Sequence, residues 1–227
     1  MKKFVFILFL VSIVLSACQL QTQNTSTSNN NNHYEPDKSI SVRGLDEVLT
    51  MREMLTASED VMHQYLRSIG GGPHDRKDLE NFLQLLNTLP YVPLIDGEIS
   101  WISHSYGESQ DTGDYYSVFF VSTKASNGEW VRIEYILSTE DVMQKISEET
   151  QEMTAMQPIH SSDNRMTVYA EKREPHPSET GELINWIANI DGYFARIIYY
   201  SNNAENIPST NVLSTITLTT IENHDPN

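Results

Sequence analysis

The feature that most restricts the fold of this chain is a change in the spacing of its apolar residues near Glu98. Before this point apolar residues recur every three or four positions, which is typical of helices. After it they alternate with polar residues, which is typical of strands with one buried face. Seven runs have the strand pattern: ISWISHSY, DYYSVFFVST, EWVRIEYILS, MTVYAEKRE, ELINWIANI, YFARIIYYS and NVLSTITLTTI. Because short turns join most of them, we predict an α+β fold with a mainly antiparallel sheet of about seven strands.

Two helices are expected ahead of this sheet. The first follows one apolar stripe through residues 45–69 and stops at the glycine run of residues 70–72. The second begins after Asp75, a good N-cap residue with Asp78 three positions later, and ends before Pro90. We therefore expect a helical layer in front of the strands.

A further helix is predicted between the third and fourth strands, in the run STEDVMQKISEETQEM. Ser138 or Thr139 is its expected cap, with Asp141 in the first turn. Residues 44–227 are long enough for one domain with a sizeable core, so we assign them to a single α+β domain.

Two of the strand runs resemble each other. NGEWVRIEYILS and DGYFARIIYYSN begin at Asn127 and Asp191, 64 residues apart, and align without a gap. Both open with an Asn-Gly or Asp-Gly pair, which favours a tight hairpin turn. Besides the glycine of this pair, the identical residues are Arg132, Ile133 and Tyr135, which recur as Arg196, Ile197 and Tyr199. A duplicated βββ unit with an intervening helix explains this pattern, and chance similarity between two amphipathic hairpins is the alternative.

The alternation in these strands also predicts two faces. We expect Val131, Ile133 and Tyr135 to face the core, together with Leu137. The opposite face then carries Trp130, Arg132, Glu134 and Ile136, and in the second run Phe194, Arg196, Ile198 and Tyr200.

Arginine flanked by aromatic rings is suited to ligand binding through cation–π contacts or carboxylate capture. The candidate ligand-binding residues are therefore Trp130, Arg132, Phe194, Arg196 and Tyr200. In the alternative interpretation a helix covers this row, and the arginine reaches water or pairs with Glu134.

The N-terminus has the pattern of an export signal. Lys2 and Lys3 precede an apolar run over residues 4–15 that is interrupted only by Ser12. The run is about a dozen residues, shorter than the roughly 20 of a membrane-spanning helix. The stretch Leu15-Ser16-Ala17-Cys18, which contains the only cysteine of the chain, resembles the lipobox of bacterial lipoproteins. The resemblance implies cleavage after residue 17, a diacylglycerol on the Cys18 sulfur, and a lipid anchor in the cell membrane on the extracytoplasmic side.

A polar spacer is expected to follow the anchor. Residues 18–43 are rich in Asn, Gln, Ser and Thr, and such a composition predicts disorder. Loss of Lys2 and Lys3 with the signal peptide leaves 13 basic and 31 acidic side chains, a net charge of −18. This charge argues against binding to nucleic acid or to an anionic lipid surface.

No catalytic residue, metal ligand or cofactor site is indicated by the sequence. The nucleophile motifs G-x-S-x-G and S-x-x-K are absent, as are the phosphate-binding glycine motifs, and the seven histidines lack ligand spacing. The sequence thus leans against an enzyme without deciding the matter. We expect a non-catalytic binding module for an envelope protein. A carrier or sensor of a lipid or other small apolar ligand, in a pocket between sheet and helices, is the first alternative, and an extracellular hydrolase is the second.

Overall fold

Nine strands and five helices make up the part of the chain that the structure, a computed structural model, describes: residues 38–71, 74–108, 113, 115–176, 181–202 and 209–223. The strands are β1 Lys38–Val42, β2 Gly70–Gly71, β3 Gly97–Glu108, β4 Tyr115–Ala125, β5 Trp130–Ile136, β6 Thr154–His160, β7 Met166–Pro175, β8 Glu182–Ile190 and β9 Tyr193–Ser201. The helices are α1 Leu45–Met54, α2 Glu59–Ile69, α3 Arg76–Thr88, α4 Val142–Glu149 and α5 Ser209–Leu213.

All nine strands belong to one antiparallel sheet, in the order β2-β1-β3-β4-β5-β9-β8-β7-β6. The predicted α+β class with an antiparallel sheet is confirmed. Six of the seven predicted strands form, and β1, β2 and β6 were not predicted. Strand β1 lies between β2 and β3, which are distant from it in the chain, whereas β6 pairs with the following strand, β7.

The predicted seventh strand, NVLSTITLTTI, is wrong. It starts in the short helix α5 and continues as a chain segment whose only sheet-like contact among the described residues is a bridge between Thr219 and Tyr91. Its buried residues are Leu213, Ile216, Leu218 and Ile221. Their spacing of three, two and three does not fit the period of two that a strand with one buried face requires.

The chain enters the sheet earlier than predicted. Residues 38–42, which the composition assigned to the spacer, form β1, because Ile40 and Val42 are buried against the sheet. The first predicted helix is also divided in two. Helix α1 ends at Met54, and Ser58 caps α2 in extended conformation. In the break, the Thr56 hydroxyl donates to the Glu53 carbonyl at 2.9 Å, a local bond that competes with helix continuation.

The other two predicted helices both form, but only the first of them has the predicted cap. Helix α3 has the predicted cap: Asp75 accepts from the Asp78 backbone N–H, and the Asp78 carboxylate accepts from the Asp75 N–H. Helix α4 begins later than predicted, because Asp141 rather than Ser138 or Thr139 is its cap and accepts from two backbone N–H groups.

The two faces of the sheet are covered unequally. On one face, here called the inner face, α1, α2, α3 and the C-terminal segment pack on the strands in one continuous core. The Phe82 ring of α3 lies 5.9 Å from the Phe119 ring of β4 in this core. On the opposite, outer face, α4 forms a small second core over β7, β8 and β9 through Ile146, Ala170, Ile187 and Phe194.

The two similar strands lie side by side in the middle of the sheet. Ile133 of β5 pairs with Ile197 of β9, its counterpart 64 residues later. Asp191 and Gly192 both have positive φ, 50° and 88°, as the predicted tight turn requires. In the first hairpin only Gly128 does, with φ 89°.

Candidate functional site

Alternation in β5 places the predicted core residues as expected. Val131, Ile133 and Tyr135 are buried on the inner face. Trp130, Arg132 and Glu134 therefore face outward, and cross-strand register aligns Arg132 with Ser122 of β4 and Ile198 of β9. Trp101 of β3 is paired with Ser122, so it belongs to the same row.

Arg132 is the centre of an aromatic cluster on this outer face. Its guanidinium carbon lies 4.7 Å from the ring centroid of Phe120, 5.8 Å from that of Trp101 and 5.9 Å from that of Trp130. These distances fall within the range of cation–π attraction. We call these four residues, Trp101, Phe120, Trp130 and Arg132, the outer patch.

The polar contacts of Arg132 agree with the interpretation in which it pairs with Glu134. Its Nη1 donates to Glu134 Oε1 at 3.3 Å, and its Nε donates to Ser122 Oγ at 3.1 Å. The guanidinium is thus neutralised and oriented while it still contacts three rings. The outer patch is open to solvent, because Trp101 is 45% exposed. None of its residues belongs to the two cores in which the described helices pack on the sheet.

Three of the predicted site residues do not join this patch. Phe194 is buried beneath α4, and Arg196 donates to Glu149 of α4 at 2.6 Å. Tyr200 is buried between the Trp130 ring, which stacks on it at 6.0 Å, and the His176 ring at 5.0 Å. Phe194 and Tyr200 therefore do not form the predicted exposed platform, because α4 and neighbouring rings cover them, whereas the Arg196 side chain is 40% exposed but paired with Glu149.

Two patch residues were missed by sequence reasoning. Trp101 and Phe120 have the opposite phase to the buried Ile102 and Phe119 in their strands, so the alternation already marked them as outward-facing. Their contact is edge-on, with ring centroids 5.4 Å apart. The sequence alone did not show that pairing of β3, β4 and β5 places these two rings beside Arg132.

Ser117 lies beside His104, but both residues are buried in the core. His104 Nε2 and Ser117 Oγ are 2.9 Å apart, and the two residues are 6% and 8% exposed. Burial lowers the pKa of His104 to about 4, against a weaker opposite effect of Asp78, so the imidazole is neutral at pH 7. With so little exposed surface, the pair offers a substrate no access.

Asp78 connects β1 to α3. It accepts from Lys38 Nζ at 3.4 Å and lies 3.7 Å from His74 Nδ1, while His74 Nε2 contacts the Ser39 carbonyl at 2.9 Å. Burial raises the pKa of Asp78, but hydrogen bonds from Tyr106 and the Asp75 backbone, with the Lys38 charge, lower it overall. These contacts hold the first strand to the domain.

A cavity of about 490 Å³ lies on the inner face, at the end of the sheet where β3 begins. We call it the inner cavity. Its lining comes from the segment of residues 92–96, the β4–β5 hairpin, strands β8 and β9, and residues 212–217. Its size falls within the range of small-molecule sites.

Neither a metal-ligand cluster nor a membrane-spanning helix is found among the described residues. Within them, no group of three or more His, Cys, Asp or Glu side chains is placed to hold a metal ion. In the same part of the chain, no helix has the length and apolar character needed to cross a bilayer. The predicted signal peptide, Cys18 and most of the spacer lie outside the described residues.

Comparison of the chain with protein-family models, with curated proteins and with solved structures finds no match.

Proposed function

We propose that this chain is a lipid-anchored extracytoplasmic protein whose folded part is a non-catalytic module that binds an envelope protein through the outer patch. The observation that carries the proposal is the exposed Trp–Phe–Arg cluster around Arg132. The anchor is proposed from the lipobox-like stretch that ends at Cys18.

The residue types of the outer patch suit a protein interface. Tryptophan and arginine are enriched among the residues that contribute most to protein–protein binding. A buried charge without a partner would oppose binding, but Arg132 already pairs with Glu134. Its burial in a complex would therefore strengthen the cation–π contacts, from about 1 to about 2 kcal/mol, without orphaning the charge.

We also infer that β3–β5 and β7–β9 are two copies of one βββ unit. The support is the gapless similarity of the two strands, their pairing at the centre of the sheet and the same strand order on either side. In this view both copies have an outward aromatic face. Helix α4 covers it in the second copy, and a partner protein covers it in the first.

A photo-crosslinking amino acid placed at Trp101 in the full chain, in the producing cells, tests the patch. The matched control is the same amino acid at Leu49, which is 58% exposed on α1. We expect one defined protein adduct from position 101 that is absent from position 49 and is lost with Trp130→Ser. Equal adducts from both positions, or none from position 101, would contradict the proposal.

The anchor has a separate test. We expect labelled palmitate to be incorporated into the wild-type chain and not into Cys18→Ala, and globomycin to block removal of the leader. An exported chain with an unmodified Cys18 would contradict the anchor and leave the patch experiment unaffected.

A further inference from the structure

The walls of the inner cavity are largely apolar. Aliphatic side chains line it, namely Val92, Leu94, Val131, Val212 and Ile216, and its floor contains the aromatic rings of Trp186 and Tyr199. These two rings are nearly parallel, with an interplanar angle of 12° and centroids 6.2 Å apart. Such a lining accepts an apolar body of modest size, including a flat one.

The charged groups around the cavity have one sign. Asp96 and Glu129 contribute carboxylates, and none of the described lining residues is Lys or Arg. Glu129 is held in position, since it accepts from Asn127 Nδ2 at 3.1 Å and from Ser201 Oγ at 3.4 Å. Burial and then the Glu129 charge raise the pKa of Tyr199 in the floor, so the carboxylate acts on the interior of the cavity.

This charge pattern selects among amphipathic ligands. A carboxylate or phosphate group would meet only negative charge here, on a chain whose net charge is −16. An ammonium group would instead pair with Asp96 or Glu129 at the rim while the apolar part entered the cavity.

The rim is formed by a defined turn. The Gly97 N–H donates to the Leu94 carbonyl at 3.0 Å, and Asp96 has φ 58°, a conformation that asparagine also tolerates. At the tip of this turn Ile95 is 90% exposed. An apolar side chain at the mouth of an apolar cavity provides contact area for an occupant that extends out of it.

We propose that the inner cavity binds a small amphiphile with an apolar body and a terminal ammonium group. This site lies on the opposite face of the sheet from the outer patch and is independent of the proposed protein partner.

The test uses two probes that differ only in their end group. Dansylcadaverine and N-dansyl-aminocaproate share the dansyl ring and the alkyl arm, but one ends in an ammonium group and the other in a carboxylate. Binding to the full chain in phosphatidylcholine nanodiscs is followed by energy transfer from tryptophan to dansyl, with empty nanodiscs subtracted. We expect saturable binding of dansylcadaverine that is at least about tenfold tighter than that of the carboxylate probe.

Two matched variants locate the site and the source of selectivity. Thr215→Phe narrows the cavity from its rim and should weaken dansylcadaverine binding at least about tenfold. Ser214→Phe changes a neighbouring exposed residue that does not line the cavity, and should leave binding unchanged. Asp96→Asn combined with Glu129→Gln should bring the two probes to similar affinity. The charge-matched control, Glu53→Gln with Asp60→Asn, alters exposed acids of α1 and α2 and should not.

Three results would overturn the proposal. The first is equal or tighter binding of the carboxylate probe. The second is no saturable binding of dansylcadaverine up to about 1 mM, a concentration at which even weak specific binding is visible. The third is undiminished binding to a Thr215→Phe variant whose near-UV circular dichroism matches the wild type.

Discussion

Arg132 and Arg196 occupy the same position in two similar strands, yet their surroundings differ. Arg132 lies among three aromatic rings and pairs with Glu134 of its own strand, and the Trp101 ring beside it is 45% exposed. Arg196 pairs with Glu149 of α4, and Phe194 beside it is buried. The comparison teaches that one strand pattern yields either a surface or a core, depending on whether another element packs on it.

The connection after β5 produces the difference. Helix α4 follows β5 in the chain, but its Ile146 packs on Ala170 and Ile187 of the other half of the sheet. Among the described helices none packs on the outer face of β3, β4 and β5, which therefore keeps its apolar rings uncovered by them, whereas that of β7, β8 and β9 gains a second core.

The largest expected effect separates the covered from the open half. Phe194→Ala should lower the free energy of unfolding by about 3 kcal/mol, because it leaves a cavity beneath α4. Its matched control, Phe120→Ala in the outer patch, should lower it by about 1 kcal/mol, since a half-buried ring has less apolar area to lose. Urea denaturation measures both. Similar losses would show that the outer patch is packed as tightly as the second core.

Acid should destabilise the two halves unequally. The pKa of His104 in β3 is lowered to about 4, below the 6.5 of an exposed histidine, so the unfolded chain takes up the proton first. The contribution of His104 to the free energy of unfolding is therefore fully present above about pH 6.5. It falls as the pH drops toward 4, by at most about 3 kcal/mol. The histidines of the described parts of β6 and β7, His160 and the neighbouring His176, are not buried.

Hydrogen exchange at pH 7 and pH 5 checks this expectation. We expect β3 and β4 to lose protection at pH 5 more than β8 and β9 do, and His104→Gln to flatten the pH dependence of the unfolding free energy. An unchanged slope in that variant would assign the acid response to another group.

The two arginines should differ modestly. Arg132→Gln removes three cation–π contacts as well as the ion pair, and should lower the unfolding free energy by about 1 kcal/mol. Arg196→Gln removes a partly exposed ion pair and should lower it by about 0.5 kcal/mol. Thermal unfolding at low and high salt distinguishes them, because salt screens the ion pair of Arg196 more completely. A larger loss for Arg196 would reverse the ranking of the two sites.

The exposed ring of Trp101 should contribute little to stability and much to the adduct. Trp101→Ser should change the unfolding free energy by less than about 1 kcal/mol while it abolishes the adduct formed with a crosslinker at position 130. Loss of stability without loss of the adduct would mean that Trp101 supports the sheet rather than a partner.

Local patterns in the sequence predicted the strands that alternate and the faces that they present. Val131, Ile133 and Tyr135 are buried as predicted, and the caps at Asp75 and the turn at Asp191 form. These features depend on neighbours within a few residues, so they can be predicted from the local sequence.

What could not be predicted depends on distant packing. The residues next to Phe194 and Tyr200 in the sequence do not indicate that α4 packs on Phe194 or that His176 packs on Tyr200. Strand β2 has two glycines and pairs only because β1 lies beside it. The inner cavity likewise needs the C-terminal segment to dock on the sheet, and the high β-propensity of that segment indicated a strand instead.

The attachment of β1 has a mechanical consequence. The N-terminal region joins the domain at Lys38, which pairs with Tyr106, and the five residue pairs between β1 and β3 end at Ile102, next to Trp101. In the proposed arrangement, with a lipid anchor ahead of β1 and a partner protein at Trp101, tension would therefore run parallel to these strands, in shear. Their hydrogen bonds would have to rupture together rather than one after another, which is the geometry of a linkage that withstands pulling.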